Sequence, residues 1–143
     1  MTIESAAQGE AETQATAYEF PSQAWADRFK QEIADSTVYR NVAHSWEGDV
    51  ILVIQGEGGL YLDLWHGECR EATYLVHPTP KAPEFKITAT MENWRKVLAG
   101  HLDPIQGLMG RQLHLEGNLL KIMQHVNAAK ELLKCATRVP IAA

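Results

Sequence analysis

With 143 residues, 45% of them hydrophobic, the chain is long enough for one domain with a proper core and too short for two ordinary ones. Its 13 Lys and Arg are scattered among 18 Asp and Glu for a net charge of -5, so no basic stripe is present to neutralise a phosphate backbone or an anionic membrane face. Nucleic acid is therefore excluded as a standing partner, and so is stable membrane insertion, because no segment supplies the ~20 apolar residues that span a bilayer.

Residues 1–17 are mostly Ala, Gln, Glu and Thr and read as a mobile tail, with the ordered domain expected over residues 18–143. The tail lacks the basic and apolar regions of an export signal, and Pro140-Ile141-Ala142-Ala143 does not resemble a Ser-Lys-Leu peroxisomal signal. Ser22, after Pro21, is placed to cap a helix in which Trp25, Phe29 and Ile33 recur every four residues. A second short helix, from Thr37 to about Ser45, puts Val38, Val42 and Trp46 on one stripe. Glu47-Gly48-Asp49 breaks that period, and the run Val50 to Ile54 is apolar on both faces, as in a central strand covered on both sides or lining a cavity. Gly56-Glu57-Gly58-Gly59 turns the chain into Leu60 to His66, with Leu60, Leu62 and Leu64 on one face. Gly67 to Arg70 turns it again into Ala72 to Val76, completing an antiparallel meander.

The proline-rich run His77 to Pro83 cannot sustain ladder hydrogen bonds and reads as a connection. A fourth strand carries Phe85, Ile87 and Ala89 on one face, and Thr90 caps a helix that turns Met91, Trp94, Val97 and Leu98 inward and ends at Gly100. Asp103-Pro104 opens a short helical piece that stops at Gly110. Leu113 and Leu115 alternate with His114 and Glu116 in a fifth strand, expected to lie parallel to the fourth because helices join them. Asn118 caps a last helix whose apolar stripe of Leu119, Ile122, Met123, Val126, Ala129 and Leu133 gives way to another, Ala128, Leu132, Cys135, Ala136 and Val139, rotated to the side. The fold class is α+β: a five-stranded mixed, mostly antiparallel sheet with helices packed over one face.

Catalytic chemistry finds little to build on. His66, Cys69 and His77 carry metal-ligand chemistry, yet His66 and Cys69 flank a tight turn and no second compact ligand pair completes four-coordination; no metal is expected. Cys69 and Cys135, the only cysteines, lie in separate elements, form no Cys-x-x-Cys pair and suit a reducing, cytoplasmic compartment; Cys135 falls on an apolar helix face as a small hydrophobe. Asp63 and Glu116 are an acid and base in type, but nothing brings them together. Gly56-Glu57-Gly58-Gly59 precedes a strand and lacks the ending of a phosphate loop. By contrast, Trp94 to Met123 mixes glycines with flexible apolar side chains, a composition suited to a wall closing on something greasy.

The succession Trp46-Glu47-Gly48-Asp49-Val50-Ile51-Leu52-Val53-Ile54, Leu62-Asp63-Leu64, Trp94-x-x-Val97-Leu98-x-Gly100-x-Leu102-x-Pro104 and Leu113-x-Leu115-x-Gly117-Asn118-Leu119 resembles the sterol carrier protein 2 (SCP2) lipid-binding domain, over roughly Gln23 to Val139. The resemblance implies helices on one side of a five-stranded sheet, enclosing an apolar tunnel for sterols, fatty acyl groups or other lipids. Without a peroxisomal tail or an attached thiolase or dehydrogenase domain, and with four tryptophans to reshape the pocket, the chain looks like a stand-alone bacterial-type member taking another hydrophobic ligand. The expected function is non-enzymatic carriage of a fatty acyl, isoprenoid or sterol-like lipid, with no cofactor. The residues placed to wall it are Trp46, Ile51 and Val53, then Leu62 and Leu64, then Trp94, Leu98, Leu102, Ile105, Leu108 and Met109, closed by Leu115, Leu119, Ile122, Met123 and Val126. The alternative is a protein-interaction subunit of a lipid- or quinone-modifying assembly, docking on a second copy or a partner protein.

Overall fold

The computed structural model describes residues 17–78 and 83–142, so the expected tail, up to residue 16, and residues 79–82 of the proline-rich connection lie outside the described residues. Two serines set the first helices. Ser22 Oγ accepts from the Trp25 N–H at 3.1 Å and starts α1 (Gln23–Asp35), whose Trp25, Phe29 and Ile33 are buried. Ser36 closes α1 and at once caps α2 (Thr37–Val42), its Oγ accepting from the Tyr39 N–H at 3.0 Å. With no linker in which α2 can turn, that cap decides which residues look inward: Tyr39 and Ala43 are buried and Val38 is 53% exposed, one residue out from the expected stripe.

Five strands follow: β1 (Glu47–Ile54), β2 (Gly58–Trp65), β3 (Glu68–Leu75), β4 (Phe85–Ala89) and β5 (His114–Glu116), in sheet order β3-β2-β1-β4-β5. The first three form the expected antiparallel meander. At its second turn His66 and Gly67 both take positive φ, 50° and 85°, as a two-residue hairpin demands, and a Cβ on Gly67 would stand 2.8 Å from the Arg40 carbonyl oxygen. The edge strand β3 is held by one side chain of α1: Gln23 donates through Nε2 to the Ala72 carbonyl at 3.0 Å and accepts through Oε1 from the Tyr74 N–H at 2.8 Å.

The parallel pair is β1 with β4, Val50 opposite Phe85 and Leu52 opposite Ile87; β4 and β5 are antiparallel, with Ile87 opposite Leu115. The expectation of a parallel β4–β5 pair fails because two helices in series, α3 (Met91–Leu98) and α4 (Pro104–Met109), return the chain to the end of the sheet it left. The parallel crossing is made instead by the segment between β3 and β4. On the face opposite the helices Pro78 lies against Gly59, and the Glu84 N–H donates to Asp49 Oδ1 at 2.8 Å. Ile51 and Tyr61 are buried on that face, so the central strand is covered on both sides, as its doubly apolar run implied.

The last helix is two: α5 (Leu119–Gln124), capped by Asn118, and α6 (Val126–Thr137). They meet at His125, whose φ of -122° and ψ of 38° leave the helical region, and this break is why the apolar stripe rotates. α6 touches α1, α2, α3, α4 and α5 and is the spine of the helical layer. Tyr18 pairs beside Ile141, its N–H donating to the Pro140 carbonyl at 3.0 Å.

Candidate functional site

Between the sheet and the helical layer lies a cavity of about 70 Å³. Its floor is the inward row of the central strands, Val50 and Leu52 of β1, Leu64 of β2, and Phe85 and Ile87 of β4. Tyr39 and Trp46 wall one part of it, and Trp94 of α3 with Pro104, Ile105 and Leu108 of α4 another. Leu113, Ile122 of α5, and Ala128, Ala129, Leu132 and Leu133 of α6 complete the lining. Small alanines on α6 leave room where longer side chains would fill it, and the Asp103 cap, accepting from the Ile105 and Gln106 N–H groups, starts α4 so that Ile105 and Leu108 share its inner side.

Of the residues expected to wall a ligand, Trp46, Leu64, Trp94, Ile105, Leu108 and Ile122 come together at this cavity. Ile51 and Val53 do not: strand side chains alternate, and with Val50 and Leu52 inward these two point to the opposite face. Leu62 and Leu98 are packed into the core beside the cavity, and Leu102 and Leu115 are half-buried against that core. Met109, at the end of α4, is 68% exposed; Leu119 and Met123 are 41% and 40% exposed and Val126 is half-buried at the start of α6, because the break at His125 turns α5 so that Ile122 alone of its apolar side chains is buried. Tyr39, Val50, Leu52, Phe85, Ile87, Pro104, Leu113, Ala128, Ala129, Leu132 and Leu133 line the cavity without having been anticipated. Asp49 carried a signal for the strand: its polar side chain marks the odd-numbered face of β1 as the one turned from the cavity.

The Trp46 indole and the charged groups beside it are already engaged. Trp46 Nε1 donates to the Gly48 carbonyl at 3.0 Å, its ring packs 5.3 Å from Phe85 and edge-on to His125 at 5.2 Å, and the Lys121 ammonium stands 5.2 Å over it. That ammonium donates to the Glu47 carbonyl at 2.6 Å and to Glu84 at 2.8 Å, at the head of a surface groove that also holds Asp49, Asp63 and Arg70. Arg70 grips Asp63 with two hydrogen bonds of 3.1 Å, and His66 pairs with Glu47. Asp63 and Glu116 stand on β2 and β5 with two strands between them, about 14 Å apart at the usual strand spacing, too far to share a proton. Among the described residues no cluster of three metal-ligating side chains occurs. Burial pushes the Cys69 thiol up to about 11 and raises that of Cys135 as well, so neither is primed as a nucleophile. Among the described residues the cavity lining is made of apolar side chains, two indoles and one phenol ring.

A family model described as the SCP-2 sterol transfer family matches residues 26–130. The chain belongs to the SCP-2 sterol transfer family. The match takes in all five strands and every cavity-lining residue except Leu132 and Leu133, which lie just beyond it on α6. Among solved structures, a crystal structure of sterol carrier protein 2 is 32% identical, with a TM-score of 0.80, over 85% of this chain and 99% of that one. The conserved hypothetical protein TT1886 from Thermus thermophilus is 31% identical, with a TM-score of 0.80, over 89% and 94%. The ubiquinone synthesis protein UbiJ-SCP2, at 14% identity and a TM-score of 0.52 over 78% and 90%, shares the fold alone. No curated protein matches the chain. The SCP-2 architecture, five strands under a layer of helices, is the one expected from the resemblance.

Proposed function

We propose that this SCP-2 family protein carries a hydrophobic small molecule, an acyl or isoprenoid-like lipid, in the cavity between sheet and helices, without catalysing a reaction on it. It works in the reducing cytoplasm, a placement supported by two buried, unpaired cysteines. The observation that carries the reading is a hollow walled by apolar side chains and one tyrosine. At roughly 24 cal/mol per Å³, an empty 70 Å³ costs the fold about 2 kcal/mol, which an apolar guest restores. Each methylene it buries adds about 0.8 kcal/mol.

Small-molecule pockets usually measure about 300–1,000 Å³, so a lipid enters by pushing the cover outward. The cover suits this: Pro104, Ile105 and Leu108 of α4 are only half-buried, whereas the floor residues Leu64 and Phe85 are fully buried. Mass spectrometry of an organic extract of the purified protein, with binding of a pyrene-labelled acyl ester, tests the reading. Recovery of lipid and saturable binding are expected; an empty extract together with an inert probe would sink it.

A second reading, a docking subunit of a lipid- or quinone-modifying assembly, is favoured by the exposed Met109, Leu119, Leu120 and Met123 of α4 and α5. Sedimentation separates the two: concentration-dependent association without a releasable lipid supports the docking subunit.

A further inference from the structure

The two short helices that cover the cavity are held in different ways. α4 is tied at both ends: Asp103 accepts from the Ile105 and Gln106 N–H groups, and the Gly107 carbonyl accepts from the Leu113 N–H at 3.0 Å, at the entry to β5. α5 sends one buried side chain, Ile122, into the cavity wall and turns Leu119, Leu120 and Met123 to solvent, so a single helix separates the hollow from water there. It runs between two departures from regular backbone, Gly117 at a φ of 137° and His125 at a φ of -122° and a ψ of 38°. Among the described residues the hydrogen bonds that tie α5 to other elements come from one group, the Lys121 ammonium, which donates to the Glu84 carboxylate at 2.8 Å and to the Glu47 carbonyl at 2.6 Å. That ammonium stands 5.2 Å over the Trp46 ring and 5.7 Å over the Phe85 ring, and both rings line the cavity.

We infer that α5 is the gate of the cavity and that the Lys121–Glu84 pair is its latch. The inference rests on the carrier reading and adds how the guest passes in and out. With the latch made, Ile122 and the Lys121 stem close over Trp46 and Phe85. With it broken, one buried side chain holds six residues, and α5 swings about Gly117 and His125 to uncover those two rings; hinges of this kind are a few residues at the ends of elements. α4 yields outward for a bulky guest but stays tied. The latch is partly in water, the Lys121 and Glu84 side chains being 26% and 44% exposed, so dissolved salt weakens it. Because it holds the helix closed in the free and the loaded protein alike, it governs the speed of exchange and not the affinity.

The test is stopped-flow binding and release of an uncharged pyrene-labelled acyl ester by the native protein, Lys121→Met and Glu84→Gln. In both variants association and dissociation should quicken together, about tenfold, leaving the dissociation constant within twofold. In the native protein both rates should rise about threefold between about 50 and 500 mM sodium chloride, and in Lys121→Met that rise should vanish. Rates within twofold of native in both variants, or faster dissociation with unchanged association, overturn the gate and leave the carrier reading standing. No binding of the ester to the native protein overturns both. Should the variants fail to fold, the salt response of the native protein decides, and equal rates at the two salt concentrations overturn the latch.

Discussion

Ile122 and Met123 are neighbours in the chain on opposite sides of a wall: the first is buried at the cavity and the second is 40% exposed. Ile122→Trp should therefore fill the hollow and weaken binding of a pyrene-labelled acyl ester at least tenfold, while Met123→Trp leaves it within twofold; fluorescence titration of both variants checks the pair. The same contrast explains what could be read in advance. Trp46, Leu64, Trp94, Ile105, Leu108 and Ile122 sit where a helical or alternating period gives each apolar residue one direction to point. Val50 to Ile54 is apolar at every position, so its alternation has no visible phase, and the strand partners needed to set it, Phe85 and Leu62 opposite Val50, lie far away in sequence. Tyr39 was hidden for another reason: a six-residue helix is too short for a stripe to declare itself, and the hydroxyl of Ser36 set its phase.

α5 is a helix of six residues with one buried apolar side chain, held across the end of the sheet by the Lys121 ammonium on Glu84 and on the Glu47 carbonyl. Its far end is His125, which offers α6 no side-chain cap. Lys121→Met keeps the stem over Trp46 and Phe85 but removes the charge-assisted hydrogen bonds. Amide exchange across Leu119–Gln124 should then quicken about tenfold with α6 little changed, as hydrogen exchange read by mass spectrometry would show. Equal exchange in the two proteins would mean that packing alone holds the helix. The caps Ser22, Thr90, Asp103 and Asn118 announced their helices because each is a local hydrogen bond between a side chain and the N–H two or three residues on. The break at His125 and the pairing of β4 with β1 are set by what packs against them, and no short window of sequence contains that.

Across the whole molecule the buried thiols and phenols bend the response to pH. The pKa values of Cys69, Cys135, Tyr39 and Tyr61 are all raised by burial, so in the folded chain these groups keep their protons longer than in the unfolded one. The unfolded chain releases its protons first, and stability falls as pH rises. Below the unfolded values, 9.0 for cysteine and 10.0 for tyrosine, both states are protonated and stability is undiminished; the loss continues until the folded groups titrate, at about 11 for Cys69 and about 12 for Tyr61. The urea midpoint should hold level to about pH 8.5 and then decline steadily, and Cys69→Ala should blunt the first part of the decline. A midpoint flat through pH 10.5 would contradict the burial of these groups. A sheet edge is a template on which a second chain can add strands without limit, the first step toward a fibril. On β3 the Gln23 carboxamide presents one donor and one acceptor at the spacing of a peptide group, counterfeiting the next strand and occupying the very bonds that an incoming chain would need.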